Sequence, residues 1–131
     1  MKTGGVIGCG FFAGNHLNGW NEVDGAFIAA LCDRDEARLW AAGQAFGIEA
    51  LYSDAAVMLD QEELDFVDIV TTAPTHRQLV ELAAARGVDI ICQKPFAENL
   101  KDASAMVTAA DNAGTVLMVH ENFRWQSAVR T

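Results

Sequence analysis

Three groups of residues in this 131-residue chain have types and spacings suited to chemistry. The first is Gly8-Cys9-Gly10-Phe11-Phe12-Ala13, which matches G-x-G-x-x-G/A. In such a turn the first glycine permits a tight bend and the second lets the backbone approach a pyrophosphate. A small third residue lets the following helix pack on the preceding strand. Amide hydrogens at the helix start then face the phosphates, helped by the helix dipole. The second group is Asp33 with Arg34. Asp33 follows the turn at a distance near the roughly 20 residues expected of a carboxylate that binds ribose hydroxyls. The third group follows later apolar runs: Thr71-Thr72-Ala73-Pro74-Thr75-His76, Gln93-Lys94-Pro95-Phe96 and His120-Glu121-Asn122-Phe123-Arg124-Trp125.

Each signal has a plainer reading. The turn can be an ordinary strand-to-helix connection, Asp33 a helix cap and Lys94 a loop lysine reaching solvent. Context and spacing together favour a dinucleotide site. A carboxylate at position 33 repels the 2′-phosphate of NADP. Arg34 or Arg38 could bind that phosphate or stack on adenine. NAD is the expected cofactor, with NADP left open.

These residues need elements to hold them. Short apolar runs predict strands at Gly5–Ile7, Ala26–Cys32, Ala50–Tyr52, Phe66–Val70, Val88–Cys92 and Val116–Val119. Nearly continuous apolar runs suit strands buried on both faces. Helical spacing predicts helices over Asp35–Phe46, Thr75–Arg86 and Asn99–Ala113, with Gly47, Gly87 and Gly114 as stops. Ser53 is the expected cap of a short helix through Leu59. Strands alternating with helices predict an α/β fold, a doubly wound parallel sheet of about six strands. In such sheets ligands bind beyond the carboxyl ends of the strands, where the chemistry-bearing segments fall.

Composition bounds the rest. The chain is 51% hydrophobic and 21% charged, a globular balance. Nine Lys and Arg against 18 Asp and Glu give a net charge of −9, which repels phosphate backbones and anionic membranes. No nucleic-acid or membrane partner is therefore expected. No apolar run approaches the roughly 20 residues of a membrane span, and the start lacks a secretory signal. Cys9, Cys32 and Cys92 form no C-x-x-C pair, so a reducing cytoplasm is the simplest setting. Cys9, inside the turn, is an accessible-thiol candidate. The spacing of His16, His76 and His120 does not suit a metal, and none is expected.

The glycine turn continuing to Asn15-His16, the Asp33-Arg34 pair, the Thr71-to-His76 spacing, Gln93-Lys94-Pro95 and Asn122-Phe123-Arg124 together resemble the N-terminal Rossmann domain of the glucose-fructose oxidoreductase / inositol dehydrogenase (Gfo/Idh/MocA) family. The resemblance covers essentially the whole chain. It implies that Gly8, Gly10, Phe11, Phe12 and Ala13 contact the pyrophosphate, and Asp33 and Arg34 the adenosine end. It implies that Thr71, Thr72 and His76 line the nicotinamide side, joined by Gln93 and Asn122. Lys94 is implied as the catalytic group, polarising the hydroxyl being oxidised. In the family the Lys-Pro bond is often cis.

Two departures stand out. The family's usual Glu is Gln93, which hydrogen-bonds but cannot relay a proton. Thr72 stands where a proline is common. Residues 1–120 are expected to be the dinucleotide-binding domain, and 121–131 the start of a connection to a substrate domain that the chain lacks. The expectation is the cofactor-binding half of an NAD(P)-dependent dehydrogenase, a truncated chain inactive by itself. Its small-molecule substrate would be a sugar, polyol or related carbinol, and a homo-oligomer is the implied assembly. The alternative is a stand-alone nucleotide-binding or sensor module without catalysis.

Overall fold

A computed structural model describes residues 1–10 and 13–120, with His120 by its backbone alone. Phe11, Phe12 and residues 121–131, Asn122 among them, lie outside the described residues. Strands and helices alternate along the chain: β1 (Lys2–Ile7), α1 (Ala13–Asn21), β2 (Ala26–Cys32), α2 (Glu36–Phe46), β3 (Ala50–Tyr52), α3 (Ala55–Gln61), β4 (Phe66–Ile69), α4 (Ala73–Ala85), β5 (Asp89–Gln93), α5 (Leu100–Ala113) and β6 (Leu117–His120). The strands form one sheet in the order β3-β2-β1-β4-β5-β6, and every neighbouring pair is parallel. The chain first builds outward from β1 to β3. It then returns through α3 to β4, on the other side of β1. Helices α1 and α4 thus leave adjacent strands toward opposite flanks, and a crevice opens above the carboxyl ends of β1 and β4.

Successive strand residues point to opposite faces, so Val6 and Ile7 serve two cores. On one face Val6 and Leu31 pack with Leu17 of α1 and Leu39 of α2. On the other, Ile7, Val67, Ile69 and Ile90 pack with Met58 of α3, Val80 of α4 and Met106 of α5. Burial on both faces holds for the central strands only. β3 is half-buried throughout, and Met118 of β6 is 45% exposed. Both are edge strands, where neighbours are missing on one side.

Local chemistry sets the helix ends. The Asp35 carboxylate accepts hydrogen bonds from the Ala37 and Arg38 amides and caps α2, and Gly47 ends it in a left-handed conformation. Asn99 accepts from the Asp102 amide at 2.8 Å and caps α5. Two expectations shift. The cap of α3 is Asp54, not Ser53, because its carboxylate accepts from the Ala56 amide at 2.8 Å. α4 starts at Ala73 rather than Thr75, with Pro74 in the first turn, where a missing N–H costs nothing. Among the described residues no helix is long and apolar enough to cross a membrane.

Candidate functional site

The crevice encloses about 690 Å³, within the range of small-molecule sites. One wall is the glycine turn, a second the β2–α2 connection, and a third the start of α4. Gly8 closes β1 with φ +106°, and its amide donates to the Cys32 carbonyl at 2.7 Å. A Cβ there would lie 3.0 Å from the Val70 carbonyl carbon and 3.1 Å from the Thr71 nitrogen. The turn is therefore pressed against β4 as well as bent. Among the described residues, a Cβ at Gly10 would meet Arg38 Nη1 alone, at 3.8 Å. Ala13 follows as the buried first residue of α1. The two phenylalanines between them lie outside the described residues.

Asp33 sits half-buried just past β2. Its Oδ2 accepts the Cys9 amide at 2.6 Å and its Oδ1 accepts the Asp35 amide at 2.7 Å. One carboxylate thus ties the glycine turn to the start of α2. Each oxygen keeps a further lone pair, so the group can still accept from a ribose diol. Arg34 and Arg38 line the same wall, both exposed, and Arg38 Nε lies 3.6 Å from Asp35 Oδ2. Ser53, expected only as a helix cap, and Asp54 beside it line the crevice just past β3.

On the α4 wall stand Thr71, Thr72 and Thr75. Thr75 Oγ1 lies 2.7 Å from Thr71 Oγ1 and 2.9 Å from the Thr72 carbonyl oxygen. Thr72 precedes α4 with its side chain making no capping bond. His76 departs from the expected arrangement. It is 0% exposed, so its ring lies behind the wall rather than on it. Gln93 and Lys94 stand at the carboxyl end of β5, one strand beyond β4, and the Lys94–Pro95 peptide is cis. Asn122 lies outside the described residues.

The cysteines do not supply a reactive group. Cys9 is buried, not accessible, and its Sγ lies 3.8 Å from the Cys32 carbonyl oxygen. Burial, then the negative charge of Asp33, pushes its thiol up to about 12. Burial likewise pushes Cys32 and Cys92 up to about 12. Thiols held this far above neutral pH are poor nucleophiles.

A second polar cluster lies under α1. Asp68, in the middle of β4, is 2% exposed. Its Oδ2 lies 2.7 Å from His16 Nδ1 and accepts from Trp20 Nε1 at 2.9 Å, while Oδ1 is buried with no hydrogen-bond partner among the described residues. Trp20 also packs on Phe66, their ring centroids 4.7 Å apart. The available signal was an acid within the apolar run Phe66–Val70, together with a histidine on the adjacent helix.

The site fits a dinucleotide. A carboxylate with free lone pairs stands on one wall, the backbone at Gly10 lies in the middle, and hydroxyl groups stand on the far wall. Residues 2–121 match the family model described as an oxidoreductase family with NAD-binding Rossmann fold. The chain is 68% identical to D-apiose dehydrogenase of Paraburkholderia graminis over 97% of its own length and 34% of that protein's. It is 57% identical to D-apiose dehydrogenase of Rhizobium rhizogenes, over 97% of the chain and 37% of the relative. A crystallised oxidoreductase from Agrobacterium radiobacter, in complex with NAD+, L-tartaric acid and magnesium, superposes with a TM-score of 0.93 at 58% identity, covering 95% of this chain and 36% of that one. The chain thus spans about a third of the length of the curated relatives it matches. With the turn, the acid after β2 and the sheet order in agreement, the chain belongs to the Gfo/Idh/MocA oxidoreductase family, whose fold is an NAD-binding Rossmann domain.

Proposed function

We propose that residues 1–120 are the NAD-binding domain of a dehydrogenase that oxidises a carbinol of a sugar of the D-apiose class. Residues 121–131 then begin the connection to the part that completes the substrate pocket. The observation that carries the reading is Asp33: it lines the crevice, is locked by two backbone amides and has acceptor capacity left on each oxygen. The 68% identity to a D-apiose dehydrogenase supports the sugar class.

Asp33 accepts the ribose hydroxyls and, as an anion, disfavours a 2′-phosphate, so NAD is preferred over NADP. Arg34 and Arg38 flank the adenine. The backbone at Gly8 and Gly10, with Phe11, Phe12 and the start of α1 at Ala13, receives the pyrophosphate. Thr71 and Thr72 line the nicotinamide side, and Gln93 and Asn122 are further cofactor-binding residues. Bound nicotinamide supplies the acceptor for a hydride from the carbinol carbon. The hydroxyl proton passes to a base in the part that completes the substrate pocket, and Lys94 donates a hydrogen bond to the carbinol oxygen and stabilises the negative charge left there. Gln93 holds position by its amide and takes no proton. Three free, buried cysteines support a reducing cytoplasm as the setting.

Thermal shifts with NAD, NADP, ADP-ribose and coenzyme A test this. A ligand that binds only the native state raises the midpoint, by about 2.7 kcal/mol of stabilisation at a hundredfold excess over Kd. NAD and ADP-ribose are expected to stabilise the chain more than NADP does. A shift with coenzyme A alone would remove the dehydrogenase reading and favour a nucleotide-binding module.

A further inference from the structure

His76 is fully buried in the first turns of α4. Its Nε2 lies 2.7 Å from the Thr71 carbonyl oxygen and its Nδ1 lies 3.0 Å from the Phe96 carbonyl oxygen. Both partners belong to connections rather than to strands or helices. Thr71 lies between β4 and α4, and Phe96 directly follows the Lys94–Pro95 peptide. A carbonyl oxygen accepts, so each contact calls for an N–H, and an imidazole sets two nitrogens on opposite edges of one rigid ring: the neutral ring donates from one of them, the imidazolium from both. The ring thus sits between both connections at once, which the single hydroxyl of a serine or threonine in its place could not do.

We infer that His76 is a positioning residue that fixes the Lys94 loop against the Thr71 loop, and so sets the nicotinamide end of the crevice without touching ligand. This rests on the NAD-binding reading. The adenosine end has a separate anchor, because Asp33 ties the turn to α2 through the Cys9 and Asp35 amides. Loss of His76 should therefore divide the dinucleotide into an affected half and an unaffected half.

The test compares NADH and ADP-ribose binding to the wild-type chain and to His76→Phe, which keeps a ring and removes both nitrogens. NADH affinity is expected to fall roughly tenfold, the size of effect that follows when a buried acceptor loses its donor. ADP-ribose affinity is expected to hold within about twofold, as for a distant site. His76→Gln, which keeps an amide donor, should lie between the two and serves if the Phe variant does not fold. Without ligand, amide hydrogen exchange over residues 94–98 should quicken in either variant while that of residues 4–9 is unchanged. Equal losses for both ligands, or unchanged exchange over 94–98, would overturn the positioning role. If the wild-type chain bound neither ligand, the cofactor reading would fall and the purpose of the clamp with it, while the exchange data would still report whether the two loops are joined.

Discussion

The two faces of the sheet are filled by different chemistry. Under α3, α4 and α5 the core is a continuous apolar cluster that includes Val67, Ile69, Met58 and Met106. Under α1 and α2 the apolar cluster is smaller, and beside it Asp68 receives His16 and Trp20. Dispersion and burial hold the body of the first face, with the His76 contacts confined to its loop end. Hydrogen bonds hold part of the second and are sensitive to direction. The helix so held is α1, whose first residue closes the glycine turn. The contrast suggests that a polar anchor serves where a helix must be fixed in rotation as well as in depth.

The largest expected effects test that contrast. Asp68→Ala leaves His16 and Trp20 without their acceptor and should cost about 3–5 kcal/mol in denaturant unfolding. Replacing Asp68 and His16 together by leucine should cost less than Asp68→Leu alone, since the Trp20 N–H alone, rather than both donors, then loses the carboxylate. If the double variant were the worse of the two, packing rather than pairing would be what the cluster provides. On the apolar face, Met58→Ala should cost about 2–5 kcal/mol through the cavity it leaves, and should leave ADP-ribose affinity in the folded fraction unchanged.

Smaller changes separate binding from stability. Asp33→Ala removes the acceptor of the Cys9 and Asp35 amides and of the ribose. Calorimetric titration should show ADP-ribose affinity falling by at least about tenfold, with a thermal midpoint only modestly lower. Gly8→Ala forces a side chain into φ +106° and against the Val70 backbone, so it should lower both midpoint and affinity, by about 1–3 kcal/mol in stability.

The smallest effects are those of pH. Cys9, Cys32 and Cys92 have folded-state values raised to about 12 from an ordinary 9. Their contribution is complete below the unfolded value and is lost as pH rises from 9 toward 12, because the unfolded thiols ionise first. Midpoints measured between pH 8 and 10.5 should fall, and a thiol reagent should label the native chain slowly at pH 8. At the acid end, the Arg86 guanidinium holds Asp60 below its ordinary 3.8. That contribution is present above 3.8 and fades as pH falls through the lower folded value. Asp60→Asn should remove this acid-side step, lowering the midpoint slightly at pH 7 and leaving it unchanged below the folded value.

Much of the architecture was legible in the chain because its signals are local. Asp35, Asn99, Gly47 and Gly114 end helices through bonds within a few residues of themselves, so type and spacing suffice to find them. The glycine turn and Asp33 were legible for a similar reason: a strand-turn-helix unit constrains both. The limits of the reading lay where contacts are distant. Ser53 reads as the cap of α3, and the folded backbone gives that place to Asp54, whose carboxylate reaches the Ala56 amide. His76 looked like a wall residue from its place after a strand, yet the β5–α5 loop, twenty residues away, draws its ring inward.

By itself the sequence determined which elements form and which side chains arrive at the carboxyl ends of the strands, because strand alternation and helix capping are settled by near neighbours. Only the tertiary structure decided how those side chains are employed. It gave Asp33 two amides to hold, paired Asp68 with His16 across 52 residues and placed His76 between two carbonyls. The physical reason is that burial and hydrogen-bond partners depend on which strands become neighbours, and the crossover through α3, which sets β4 beside β1, cannot be inferred from any short segment.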